Sequence, residues 1–269
     1  MVRRIYFLFF CFYLFIINGC VEFSDNNKNN RIPDINNDTI EAGIKAQKVE
    51  AYQCQDFLEG IKDDYYFSET EVNFINRGLL DIHSLDSTIL VNLKYSGEDN
   101  FMQADVYGEW NRAFLQPDVA EKLVIAQHLL KSKFPEYSLI VFDAVRPVSV
   151  QQKMWDILDM PINEKTKYIS NPKNGSLHNF GAAVDISIVD QYEDQLDMGT
   201  PYDYFGELAY PIKEQEFLKS GELSQEQINN RELLREVMIK AGFFNIQTEW
   251  WHFNSCTREQ AKLKYEIIE

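Results

Sequence analysis

A single domain mixing helices and strands is what this sequence predicts, and three observations predict it. Residues 88–95, 139–142 and 184–188 are short and either alternate or run unbroken in apolar side chains, as strands do. Residues 117–134 and 231–241 repeat apolar residues at steps of three and four, as one buried helix face requires. Pro117, Pro135 and Gly242 sit where the two helical stretches begin or end. With 269 residues, 45% of them hydrophobic, the chain is long enough for one sizeable core. Its formal net charge of −16 argues against nucleic acid or an anionic membrane surface as a partner.

The chain opens with Arg3 and Arg4, followed by an unbroken apolar run from Ile5 to Ile17. That run falls short of the ~20 residues a spanning helix needs and suits a secretory signal over residues 1–19. Ile17-Asn18-Gly19-Cys20 resembles a bacterial lipoprotein processing site, with Asn18 its one unusual residue. Cys20 would then carry lipid and hold the chain to a membrane of the cell envelope, as a periplasmic or outer-membrane lipoprotein. Residues 20–48, rich in Asn and Asp, lack the apolar periodicity that repays ordering and read as a flexible tether. The folded part with an N-terminal extension occupies 49–269. In an oxidising compartment Cys54 and Cys256 become candidates for a disulfide.

Within the folded part, Ile89, Val91, Leu93 and Tyr95 share one side of a first strand. The helix after Pro117 places Val119, Leu123, Ala126, Leu130 and Phe134 on its core stripe, with Asp118 as its cap. Leu139–Phe142 is a buried strand that ends in Asp143-Ala-Val-Arg146-Pro147, so charge stands at its end. A second helix runs from Ser149 to Leu158. Val184, Ile186 and Ile188 then alternate with Asp185 and Ser187, which turns Asp185 away from the core. The third helix, 231–240, buries Leu233, Leu234, Val237, Met238 and Ala241, and Gly242 closes it. A last strand covers 243–254 and carries Glu249 and His252. Their odd spacing puts them on opposite faces of a regular strand, so a shared site requires a break between them.

The chemistry-bearing residues concentrate in two places. Ser176-Leu-His178-Asn-Phe-Gly181-Ala-Ala183-Val-Asp185 offers an imidazole and a carboxylate, and Glu249-Trp-Trp-His252 offers another of each. Two imidazoles, one ligating carboxylate and one carboxylate base form the inventory of a zinc hydrolase. His83 and His128 lack such partners and read as structural.

In this order, Ser-x-His-x-x-Gly-x-Ala-x-Asp followed by Glu-x-x-His resembles the zinc D,D-peptidase superfamily, which includes D-alanyl-D-alanine dipeptidases and D,D-carboxypeptidases. The likeness extends from about Thr88 to Asn254 and takes in Asn100-Phe101, Tyr107-Gly108 and Arg146-Pro147. It implies an α+β fold, Hedgehog/D,D-peptidase-like, with a mainly antiparallel central sheet flanked by helices. It implies one zinc ion held by His178, Asp185 and His252, with Glu249 as general base and Arg146 stabilising the oxyanion. Dipeptidase relatives have Asp-Gly-Tyr-Arg-Pro where this chain has Asp143-Ala-Val-Arg-Pro147. Met198-Gly-Thr-Pro-Tyr-Asp203 resembles the dipeptidase branch, where the aspartate pairs with the ammonium of a dipeptide and Ser176 lines the same end of the cleft. The expectation is a zinc-dependent dipeptidase for D-alanyl-D-alanine in cell-wall peptide turnover. The alternatives are a D,D-carboxypeptidase or endopeptidase for peptidoglycan stem peptides, and a non-catalytic binding module.

Overall fold

The computed structural model describes residues 67–166 and 168–269. The expected signal, the lipid-bearing Cys20, the tether and Cys54 lie outside them. Cys256, the other half of the expected disulfide, is half-buried.

The described residues form seven α-helices, a two-stranded ribbon and a five-stranded sheet. After α1 (Glu69–Asn76), β1 (Leu80–Asp81) pairs antiparallel with β3 (Phe114–Leu115). The main sheet has the order β2 (Leu90–Val91), β4 (Ser138–Asp143), β5 (Ala183–Val189), β7 (His252–Asn254), β6 (Phe244–Asn245). Only the β2–β4 pair is parallel, so the sheet is mainly antiparallel as expected. β5 is buried along its whole length, which accounts for its Val, Ile and Ala content. The remaining helices are α2 (Pro117–Lys133), α3 (Val148–Ile157), α4 (Ile162–Lys165), α5 (Glu214–Ser220), α6 (Gln225–Lys240) and α7 (Arg258–Lys264). α2 packs on both α6 and β4. No helix among the described residues is long and apolar enough to cross a membrane.

Four expectations need correction. The first strand is two residues long rather than eight, although Asn92 and Lys94 still donate to the carbonyls of Val141 and Phe142 at 2.9 and 3.1 Å. Ile89, Leu93 and Tyr95 are buried on the predicted side. Asp118 does not cap α2; Gln116 occupies that position and Asp118 accepts from the Tyr265 hydroxyl at 2.9 Å. Phe134 is 42% exposed, because the helix has ended at Lys133 and the side chain stacks on Tyr137 instead of entering the core. α6 starts six residues before Arg231, because Ser224 and Gln227 form a capping box that satisfies two backbone donors.

Candidate metal centre and substrate cavity

Three elements deliver the candidate ligands. His178 lies in a single 3₁₀ turn, Leu177–Phe180, capped by Ser176, whose Oγ accepts from the His178 amide at 3.3 Å. Gly181 closes the turn at φ 62°, and a Cβ there would come within 2.9 Å of Leu79 and 3.3 Å of the Gln116 amide. Glycine therefore lets the turn press against the β3–α2 connection before β5 starts. Asp185, in β5, sits directly opposite His252 of β7.

The last strand expected over 243–254 is instead two short strands that pair antiparallel with each other, so the expected turn between Glu249 and His252 is present but Glu249 lies on no strand. β6 ends at Asn245, β7 begins at His252, and the connecting residues 246–251 carry Glu249. Asn245 organises this loop: its Nδ2 donates to the carbonyls of Glu249 at 2.9 Å and His252 at 2.7 Å. An asparagine amide thus replaces the ladder bonds lost where the strand turns aside.

One donor atom each from His178, Asp185 and His252 lies within 4.8 Å of the others. His178 Nδ1 donates to the Ala144 carbonyl at 2.7 Å, leaving Nε2 to face the centre. His252 is turned the other way. Its Nε2 donates to Asn254 Oδ1 at 2.9 Å and its Nδ1 lies 2.9 Å from Asp185 Oδ1. The two inward nitrogens are 3.2 Å apart. Tyr202 donates to the second Asp185 oxygen at 3.0 Å. Each ligand therefore has a hydrogen-bond partner behind it, the usual support of a metal site. The donor set, two imidazoles and a carboxylate, fits zinc with an open position for water.

Electrostatics agree with this geometry. Burial would raise the Asp185 pKa, but the charges and hydrogen bonds of His178 and His252 hold it well below the usual range. Burial would lower that of His252, but Asp185 outweighs it and lifts it to about 9. Glu249 is raised, first by burial and further by Asp185, against an opposing effect of His252. A carboxyl moved toward neutrality is matched to accepting and returning a proton.

Arg146 stands at the end of β4, where its Nε and Nη2 both donate to Asp143, the former at 3.0 Å. Asp143 is fully buried and also accepts from the Tyr107 hydroxyl and the Ala144 amide. The guanidinium lies over the Tyr95 ring at 5.2 Å and 4.0 Å from Asp185. It makes the strand-end ion pair and faces the site at once.

Asp203 lies in the left-handed region at φ 59°, which is rare outside glycine. Its carboxylate accepts from the Tyr95 hydroxyl at 3.0 and 3.2 Å. Burial, with Asp185's charge added, raises its pKa well above the ordinary value. Its loop is held by Arg231, buried in α6, which donates to the carbonyls of Met198 at 2.6 Å and Leu208 at 3.1 Å.

All seven predicted residues, Arg146, Ser176, His178, Asp185, Asp203, Glu249 and His252, line one cavity of about 240 Å³. The strand-end ion pair of Arg146 with Asp143 was legible in the sequence and is present. Sequence reasoning missed Asn245, Asn254, Tyr202 and Arg231 as supports, because their alignment with the site depends on contacts distant in sequence. His83 and His128 lie outside the site; His83 Nε2 bonds the Ile89 carbonyl at 2.8 Å and His128 approaches Asp86 at 3.6 Å.

The model of the family described as D-ala-D-ala dipeptidase matches residues 76–267. The D-alanyl-D-alanine dipeptidase of Escherichia coli K12 is 27% identical over 175 residues, covering 65% of this chain and 83% of its own. That of Enterococcus faecium is 27% identical over 175 residues, covering 60% and 82%. That of Synechocystis is 28% identical over 168 residues, covering 52% and 68%.

Proposed function

The chain belongs to the D-ala-D-ala dipeptidase family of metallopeptidases, and on that premise we propose that it hydrolyses D-alanyl-D-alanine or a related D,D-dipeptide with a single zinc ion. The observation that carries the reading is the convergence of three metal donors, a raised carboxyl base and a buried arginine on one cavity. Zinc held by His178, Asp185 and His252 would supply a Lewis acid and a water ionising near pH 7.

The protein's own groups do the rest. Glu249 accepts the proton of the attacking water and returns it to the departing amine, worth about 10²–10⁴ in rate. Asp143 engages the Nε and one Nη2 hydrogen of Arg146, which leaves other guanidinium N–H groups for the negative charge growing on the carbonyl oxygen. Asp203 receives the substrate's ammonium, whose charge offsets the burial that raises the carboxyl's pKa. A longer acylated peptide lacks that ammonium and would leave the aspartate without a partner.

The test is a zinc-replete assay comparing D-alanyl-D-alanine, its L,L counterpart and an acylated D,D-peptide. Hydrolysis of the first alone supports the reading. Release of D-alanine only from the acylated peptide would make the enzyme a D,D-carboxypeptidase. Glu249→Gln should lose at least a hundredfold in kcat while retaining zinc.

We further propose that residues 1–19 are a secretory signal, that Cys20 is lipidated, and that the enzyme works in cell-wall peptide turnover at the envelope. Arg3, Arg4, the Ile5–Ile17 run and the position of Cys20 support this. Incorporation of a fatty-acid probe that persists in Cys20→Ala would refute it.

A further inference from the structure

A dipeptide carries two charges, and only its ammonium has a partner in the reading above. The carboxylate must be accommodated in a cavity already lined by Asp185, Asp203 and Glu249. Among the described residues only two arginines or lysines line that cavity, Arg146 and Arg258. Arg146 is held by Asp143, and its remaining N–H groups are assigned above to the carbonyl oxygen. Arg258, the first residue of α7, is exposed and makes no ion pair among the described residues; its Nη1 reaches only the Asn174 carbonyl, at 3.4 Å.

The two poles fall on different segments. Asp203 hangs from Tyr95 on the 198–208 loop. Arg258 touches the 171–176 loop, two residues before Ser176. The β7 strand ends four residues before Arg258, so the arginine is carried from the same strand that holds His252.

We propose that Arg258 is a specificity-determining residue that binds the free α-carboxylate of the substrate's C-terminal residue. This deepens the dipeptidase reading and rests on it. It also separates substrate classes: a dipeptidase or carboxypeptidase substrate presents that carboxylate, and an endopeptidase substrate has an amide there. Arg258 is solvated, so the charge-assisted bond falls at the weak end of its range and its loss should weaken binding about tenfold.

The experiment combines binding and turnover. Calorimetric binding of intact D-alanyl-D-alanine is measured in zinc-loaded Glu249→Gln, with and without Arg258→Gln. Turnover of the dipeptide and of its C-terminal amide is measured with Glu249 intact. Expected are a tenfold rise in Kd and KM for the free acid in Arg258→Gln, kcat within about twofold, no change for the amide, and substantial rescue by Arg258→Lys. Equal effects on acid and amide, or no effect on either, would overturn the proposal. Arg258-dependent binding without turnover by the Glu249-intact enzyme would sink the dipeptidase reading and spare the arginine. No binding at all would sink both.

Discussion

Replacing Asn254 with Ala tests whether the metal centre is set by its surroundings as much as by its ligands. Asn254 Oδ1 accepts from His252 Nε2 at 2.9 Å, which leaves Nδ1, facing His178 and Asp185, as the nitrogen to ligate once its proton is displaced. With its pKa lifted to about 9, the metal-free ring carries both protons at pH 7.5 and zinc must displace the one on Nδ1. Without Asn254 the ring favours keeping that proton, where Asp185 accepts at 2.9 Å, and zinc must also reverse that preference. The hydrogen bond itself is worth about 1 kcal/mol, and loss of such a support lowers metal affinity about 10- to 100-fold. The backbone of Asn254 pairs with Ala183 and Phe244, so alanine preserves the strand. Chelator competition at pH 7.5 reads the zinc affinity, and ¹⁵N chemical shifts of the imidazole read the tautomer. Asn254→Asp, which keeps the acceptor, should retain the parent affinity. An Asn254→Ala protein that binds zinc within twofold of the parent, with His252 still protonated on Nε2, refutes the reasoning.

Other expectations follow from the same geometry. Asp203→Asn should raise KM for the dipeptide about 10- to 100-fold while sparing acylated substrates, read by steady-state kinetics on both. Gly181→Ala combines φ 62° with a 2.9 Å approach to Leu79, and should cost about 1–3 kcal/mol in denaturant unfolding. The raised pKa of His252, about 9 against an ordinary 6.5, stabilises the metal-free protein fully below pH 6.5, and that contribution disappears as pH climbs through 9. Zinc must displace the same proton, so its apparent affinity should increase with pH over that window in titrations.

Much of the centre was legible because its residues carry chemistry within short stretches. His178 and Asp185 are seven residues apart on either side of a glycine, and the odd spacing of Glu249 and His252 demanded a strand break that is present. The devices that create the geometry were not legible. Asn245 is an ordinary polar residue until β6 and β7 bring its amide against the 246–251 loop. Tyr202 and Asn254 acquire their roles only through neighbours distant in sequence. The first strand was overextended because Thr88–Tyr95 keeps its alternating burial, and some of its bonding to β4, without regular strand geometry throughout. Local pattern reports which side is buried; register with the next strand decides where a strand stops.

Asn245 has a consequence for how the centre can fail. One amide grips the carbonyls of both Glu249 and His252, so the proton acceptor and the third ligand are mounted on a common bracket. Neither can drift without straining the other. The distance between the group that takes the proton and the group that holds the ion is therefore built in during folding, before ion or substrate arrives. Damage to that bracket would surface as two defects at once, a looser ion and a slower proton transfer, although the side chain responsible belongs to neither task.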